Sequence, residues 1–182
     1  PDGINMTPSS PSLFQKMFEK TMENLNNPDI NTMYEAIFIY NDTLIMLDIL
    51  VRDGDKWRAI EVKSSLSLSE TYYKDAALQY YVLNGCKVPI SDMQLMYINN
   101  EYVKNGDINV KQLFIFKSVK DYAEQQLNII DKKVNEDLTK QYHQEQMIYM
   151  ITPSVIPLII ILVLGCFALA VLKGFISKMP TP

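Results

Sequence analysis

The feature that most restricts how this chain can fold is a stretch without charged residues near its C-terminus, from Gln146 to Leu172. Within it, Pro153 to Leu172 is an apolar run of 20 residues. A helix of that length spans about 30 Å, the thickness of the hydrocarbon core of a bilayer. The alternative is a buried core helix, but a domain of this size has little room to surround one. The sequence therefore predicts a transmembrane helix over 153–172.

The charged residues are confined almost entirely to the part of the chain that precedes this stretch. Every Asp, Glu, Lys and Arg except Lys173 and Lys178 lies at or before Glu145, and that part has a formal charge of −6, against −4 for the whole chain. An acidic domain is unsuited to coating nucleic acid, which requires clustered Lys and Arg. With 48% hydrophobic residues the chain is also unlike a disordered acidic tail. We expect a soluble acidic domain carried on a membrane segment.

The two cysteines, Cys86 and Cys166, are too few and too far apart to indicate a disulfide framework. No Cys/His pattern is typical of a zinc site or an iron–sulfur cluster, so neither is expected. These features favour a reducing compartment. The opening residues PDGINMTPSSPS are polar and rich in proline, unlike a secretory signal. Because the chain starts at Pro1, we expect a fragment or a processed product.

Local patterns predict a mixed α/β organisation between residues 12 and 138. They predict a first helix that Ser12 caps and that runs to Leu25, a second from Ser67 or Ser69 to about Leu83, and a third from about Ser118 onward. The predicted strands are Ala36–Tyr40, Leu44–Val51, Trp57–Lys63 and Met93–Ile98. The predicted division is an irregular lead-in and first helix over 1–29, a domain over 30–146, and the membrane segment with a short tail over 147–182.

Three charged residues on two neighbouring predicted strands form a candidate site. Asp48 lies in the middle of the apolar strand Leu44–Val51, where an unpaired carboxylate costs several kcal/mol. Glu61 and Lys63 follow it by 13 and 15 residues and share one face of the next strand, because side chains alternate along a strand. A suitable register would bring the three side chains together.

Two carboxylates at close range repel each other and favour a cation between them. Oxygen ligands suit Mg²⁺ or Mn²⁺, so Asp48 and Glu61, with the backbone carbonyl of Val62, are candidate metal ligands. Lys63 would then orient a water molecule or neutralise charge that develops on a phosphate. The plain alternative is a solvated Glu–Lys pair at a sheet edge. Helical spacing places Tyr72, Asp75 and Gln79 on one side of the following helix.

The runs LDILVRDGDKWRAIEVKSS, YYKDAALQYYVL and LMYINNEYVKNGDI resemble the PD-(D/E)XK nuclease superfamily, and within it a bacterial group near the RecB-like and CRISPR-associated exonucleases. The likeness covers roughly Pro1 to Leu138. It implies a small mixed β-sheet flanked by helices, a restriction-endonuclease-like core, and metal-dependent cleavage of DNA. It also implies roles for particular residues. Asp48 matches the metal-binding aspartate, and Glu61 and Lys63 match the E-x-K pair. Gln79 and Tyr80 match a Gln/Tyr motif on the helix behind the site, and Glu35 matches an assisting acid.

The resulting expectation is a Mg²⁺- or Mn²⁺-dependent DNA nuclease domain, of endonuclease or exonuclease type, tethered to a membrane through 153–172. The alternative is a catalytically inactive binding or interaction module with the same fold and anchor. Lysines lie on both sides of the predicted span, so the positive-inside rule does not decide its orientation. Activity on DNA would require the soluble domain to be cytoplasmic.

Overall fold

A computed structural model describes residues 3–144 of the chain. The chain divides into two compact units, Pro1–Asn135 and Glu136–Pro182. Within the second unit, residues 136–144 are helical. The predicted membrane segment at 153–172 lies outside the described residues. Over 3–144, no helix is both long and apolar enough to cross a bilayer.

The first unit contains a six-stranded sheet whose strands are neighbours in chain order. The strands are β1 (Ile4–Asn5), β2 (Thr32–Tyr40), β3 (Thr43–Asp53), β4 (Lys56–Lys63), β5 (Ile90–Ile98) and β6 (Phe114–Ser118). The helices are α1 (Phe14–Leu25), α2 (Glu70–Gly85), α3 (Val110–Leu113) and α4, which begins at residue 120. β1–β2 and β4–β5 are parallel pairs, and the other neighbours are antiparallel. The prediction of an α/β fold with a mixed sheet is confirmed.

Tight turns join the three central strands. Asn41 and Asp42, between β2 and β3, both have positive φ angles, 49° and 54°. Asn and Asp tolerate this conformation better than most residues, and two such residues match the twist of a hairpin. Gly54, between β3 and β4, has a φ angle of 66°, which glycine adopts at little steric cost. These turns bring β2, β3 and β4 side by side.

Helix α2 provides the crossover that two parallel strands require, here β4 and β5. It packs against β2, β3 and β5. The small residues Ala76 and Ala77 are buried on α2, which allows the helix to approach the sheet closely. The largest side chains that are fully buried come from several elements and include Trp57, Phe38, Met33, Leu47, Leu50, Leu83 and Leu95.

The prediction of an irregular lead-in is wrong in part. Ile4 and Asn5 form β1 against β2, and Met6 is fully buried. The segment belongs to the same compact unit as the sheet, Pro1–Asn135. Ser12 lies in a short 3₁₀ turn ahead of α1 rather than capping it. A two-residue strand in a polar, proline-rich segment has too few residues to show any periodicity.

Candidate active site

Asp48 occupies a break in the hydrogen-bonded ladders on both sides of β3. The β2–β3 ladder skips the position where Glu35 would pair with Asp48. The β3–β4 ladder ends at the pair of Ile49 and Ile60, one residue before Asp48. Continuing that register by one step places Asp48 opposite Glu61. The two strands therefore bring these carboxylates to the same level of the sheet. A site that both residues share needs them to be this close.

The carboxylate of Asp48 replaces a missing backbone acceptor. The N–H of Val62 donates to Asp48 Oδ2 over 2.6 Å. A hydrogen bond from a backbone N–H to a carboxylate is a strong one, and it fixes the side chain relative to β4. Asp48 Oδ1 accepts no hydrogen bond from the residues that the structure describes, and this leaves that oxygen available to a ligand.

Glu35 adopts a left-handed backbone conformation at the ladder break, with a φ angle of 54°. This conformation is uncommon for a residue other than glycine, and such strained positions concentrate at functional sites. Burial, and next the negative charge of Asp48, raise the pKa of Glu35 above its ordinary value of 4.5. Glu35 therefore lies within electrostatic reach of Asp48, on the side of β3 away from Glu61.

Glu61 is the buried acid of the site, with 9% of its surface exposed. Its Oε1 accepts a hydrogen bond from Lys63 Nζ at 2.9 Å, and its Oε2 accepts one from Gln79 Nε2 at 2.7 Å. Burial, together with the charge of Asp48, raises the pKa of Glu61 above 4.5, and these effects outweigh the hydrogen bonds, which lower it. The charged form of Glu61 is thus held at an electrostatic cost that Lys63 relieves only in part and that a cation between Glu61 and Asp48 would relieve further.

Lys63 is held from two sides. Its ammonium lies 2.9 Å from Glu61 Oε1 and 3.3 Å from Asp75 Oδ2, and 5.1 Å from the ring centre of Tyr72. Burial lowers the pKa of Lys63, but the hydrogen bonds and charges of Glu61 and Asp75 outweigh it and raise the pKa above 10.5. Lys63 is therefore a fixed positive charge at neutral pH.

The structure brings together most of the residues that the sequence singled out, but it places Tyr80 elsewhere. Tyr80 is buried, and its hydroxyl donates to Glu124 of α4 over 3.0 Å. Burial and Glu124 raise the pKa of Tyr80 to about 12, so the hydroxyl remains a donor. In the described part of the chain, no hydrogen bond joins Tyr80 to Asp48, Glu61 or Lys63. Tyr80 supports the packing of α4 on α2.

The donor set fits a divalent cation held by a small number of protein ligands. Among residues 3–144, no three side chains of His, Cys, Asp or Glu are close enough to hold a metal ion together. Mg²⁺ is commonly bound by one or two carboxylates, with waters and substrate oxygens completing its shell. Asp48 and Glu61 meet that requirement. Gln79 Oε1 is buried and has no hydrogen-bond partner among the described residues, so it is a further oxygen here that can accept a hydrogen bond.

Several basic residues of the first unit are paired with acids. Arg58 bonds Asp53 at 2.8 Å, Lys74 bonds Glu70 at 2.7 Å, and Lys63 is shared as described. Arg58 and Lys74 each have a carboxylate oxygen at hydrogen-bond distance, so a polyanion would compete with that carboxylate for either of them.

Protein-family models, curated proteins and solved structures all return no match to the chain.

The raised pKa values of Glu61 and Glu35 predict a pH-dependent stability. Between about pH 4.5 and the higher folded-state pKa, the folded protein binds more protons than the unfolded chain. The stability from these groups is fully present below that range, and it is lost as the pH rises through the folded pKa. In urea unfolding experiments from pH 4 to pH 8, the free energy of unfolding should decline less for Glu61→Gln than for the wild-type chain.

The quantity to compare is the difference in the free energy of unfolding between the wild-type chain and Glu61→Gln at each pH. Asp53 and Glu70 have lowered pKa values, set by Ser91 with Arg58 and by Lys74 respectively, and they act in the opposite direction. Their contributions are common to both proteins and cancel in the difference. Parallel pH profiles would contradict a raised pKa at Glu61.

Proposed function

We propose that the chain is a metal-dependent DNA nuclease that hydrolyses phosphodiester bonds at the site formed by Asp48, Glu61 and Lys63. The observation that carries this proposal is the break in the sheet at Asp48. There, one carboxylate lies outside both ladders, is fixed by the Val62 N–H, and acts electrostatically on an acid of each neighbouring strand. A purely structural strand has no need of this arrangement, which costs stability.

The proposed ligands of the cation are the carboxylates of Asp48 and Glu61, with the backbone carbonyl of Val62 as a further candidate. When bound, Mg²⁺ or Mn²⁺ polarises the phosphate and makes a water molecule more acidic. Lys63 contributes a fixed positive charge, which stabilises the negative charge that grows on the phosphate oxygens as water attacks phosphorus and the P–O bond breaks. Gln79 holds Glu61 in place through a bond of 2.7 Å.

The nature of the substrate is proposed from the resemblance to the PD-(D/E)XK superfamily together with this geometry. The spacing of Asp48, Glu61 and Lys63 matches the superfamily pattern, and the three residues come from two adjacent antiparallel strands. The mixed sheet with a helical crossover agrees with a restriction-endonuclease-like core. We also propose that an apolar helix over 153–172 anchors this domain to a membrane, with the domain on the cytoplasmic side. That part of the proposal rests on the sequence alone.

The proposal is tested by incubating the full-length chain with an end-labelled linear DNA and with Mg²⁺ or Mn²⁺. We expect cleavage that depends on the metal and that stops when EDTA is added. Denaturing gels resolve whether products shorten from an end or arise internally, which separates exonuclease from endonuclease action. A folded protein that cleaves no DNA with either metal would refute the proposal and favour an inactive module with the same fold.

A further inference from the structure

One helix face makes contacts with both members of the E-x-K pair. Tyr72, Asp75 and Gln79 are three and four residues apart, so they lie on the same side of α2. Gln79 bonds Glu61, whereas Asp75 and Tyr72 contact Lys63. Asp75 lies outside the proposed catalytic set, and yet its carboxylate is 3.3 Å from the Lys63 ammonium.

We propose that Asp75 is a positioning residue for Lys63, an inference that rests on the proposed function. A lysine side chain has several rotatable bonds and is poorly fixed by a single partner. Glu61 and Asp75 come from a strand and a helix respectively, so together they restrict the ammonium to one place. The ring of Tyr72 limits its movement further. Lys63 is thereby held where the proposed function requires a positive charge beside the phosphate, while Glu61 binds the cation.

The exposure of the three side chains distinguishes this role from a contribution to folding. The side chain of Asp75 is 46% exposed, whereas those of Lys63 and Glu61 are 16% and 12% exposed. An ion pair with one half-exposed partner contributes little to stability. Replacing Asp75 by asparagine should therefore leave the fold intact. The substitution should affect only the position of the Lys63 ammonium.

The placement of Lys63 can be measured without any nuclease assay. The full-length chain is treated briefly with acetic anhydride, and mass spectrometry gives the acetylation of Lys63 relative to the exposed Lys104. Asp75→Asn is expected to increase labelling of Lys63 about fivefold, the equivalent of an ion pair worth about 1 kcal/mol. The matched control is Glu70→Gln on the same helix, which should increase labelling of Lys74 and leave Lys63 unchanged. Equal labelling of Lys63 in wild type and Asp75→Asn would overturn the inference.

Cleavage kinetics then test the consequence for the reaction. Asp75→Asn should lower kcat roughly tenfold or more with little change in KM, because misplacement of a catalytic group by a fraction of an ångström to 1 Å has effects of this order. Asp75→Glu should restore most of the rate. A rise in KM alone would overturn the inference, since Asp75 would then act on substrate binding. If the wild-type chain cleaves no DNA, the proposed function fails, and the acetylation result still decides whether Asp75 holds Lys63.

Discussion

Replacing Glu61 by glutamine is expected to reduce metal-dependent DNA cleavage by roughly a thousandfold, as the loss of a group that stabilises a charged transition state commonly does. The substitution removes one of the two carboxylates proposed to hold the cation. It also removes the negative partner of Lys63 Nζ, 2.9 Å away. The side chain keeps its size, so the site should lose its charge without losing its packing.

The fold should tolerate this substitution well. A glutamine at position 61 can accept from Lys63 through its carbonyl oxygen. Its NH2 group replaces Glu61 Oε2, which accepts from Gln79 Nε2 in the wild-type chain, so the Gln79 amide has to flip. Gln79 Oε1, which has no partner among the described residues, then accepts from the new NH2 group. Burial disfavours the charge of Glu61 and raises its pKa, whereas the ion pair with Lys63 favours that charge. Because Lys63 keeps Asp75 as a partner at 3.3 Å, we expect Glu61→Gln to remain folded at neutral pH.

Glu70→Gln is the matched control for this experiment. Glu70 lies on α2 and is paired with Lys74 at 2.7 Å, with its side chain 79% exposed. Its substitution should leave the cleavage rate within about twofold of the wild-type rate, since exposed ion pairs contribute little. If Glu61→Gln retained a rate close to that of this control, Glu61 would have no part in catalysis.

Replacing Phe38 by alanine is expected to lower the free energy of unfolding by about 3–5 kcal/mol, the usual cost of truncating a buried aromatic residue. Phe38 is fully buried in β2 and pairs with Ile45 of β3. Its ring therefore belongs to the core that supports the strand carrying Asp48. The cavity left by the ring cannot be filled without moving these strands.

The loss can be measured by urea unfolding, with the fluorescence of Trp57 as the signal. Trp57 is the single tryptophan of the chain and is 2% exposed, so its emission should change on unfolding. The control is Phe116→Ala in β6. Phe116 is 52% exposed, and its substitution should change stability by less than about 0.5 kcal/mol. Similar losses for the two variants would contradict the position of Phe38 in the core.

The central strands could be predicted from the sequence because their signals are local. Apolar runs separated by Asn41-Asp42-Thr43 and by a turn around Gly54 indicate antiparallel neighbours, and the structure pairs β2, β3 and β4 in this way. The peripheral strand β1 could not be predicted. Its two residues are stabilised by pairing with β2 and by the burial of Met6, both of which depend on the tertiary fold.

The candidate site, too, could be predicted from the sequence only where its signals are local. Alternation along β4 predicts that Glu61 and Lys63 share a face, but only the register, continued by one step, places Asp48 opposite Glu61. The positive φ angle of Glu35 has no sequence signal, because glycine, asparagine or aspartate is usual there. The contact of Asp75 with Lys63 depends on how α2 packs on the sheet.

The most direct test of a cation site at Asp48 and Glu61 is a calorimetric titration of the full-length chain with Mn²⁺. Asp48→Asn is the informative variant, because its amide oxygen can still accept the hydrogen bond from the Val62 N–H while the charge is lost. Asp55→Asn, in the exposed turn after β3, is the control. We expect the wild-type chain and the control to bind Mn²⁺ and Asp48→Asn to lose that binding. A folded wild-type chain that binds no Mn²⁺, or equal binding by all three proteins, would contradict the metal site.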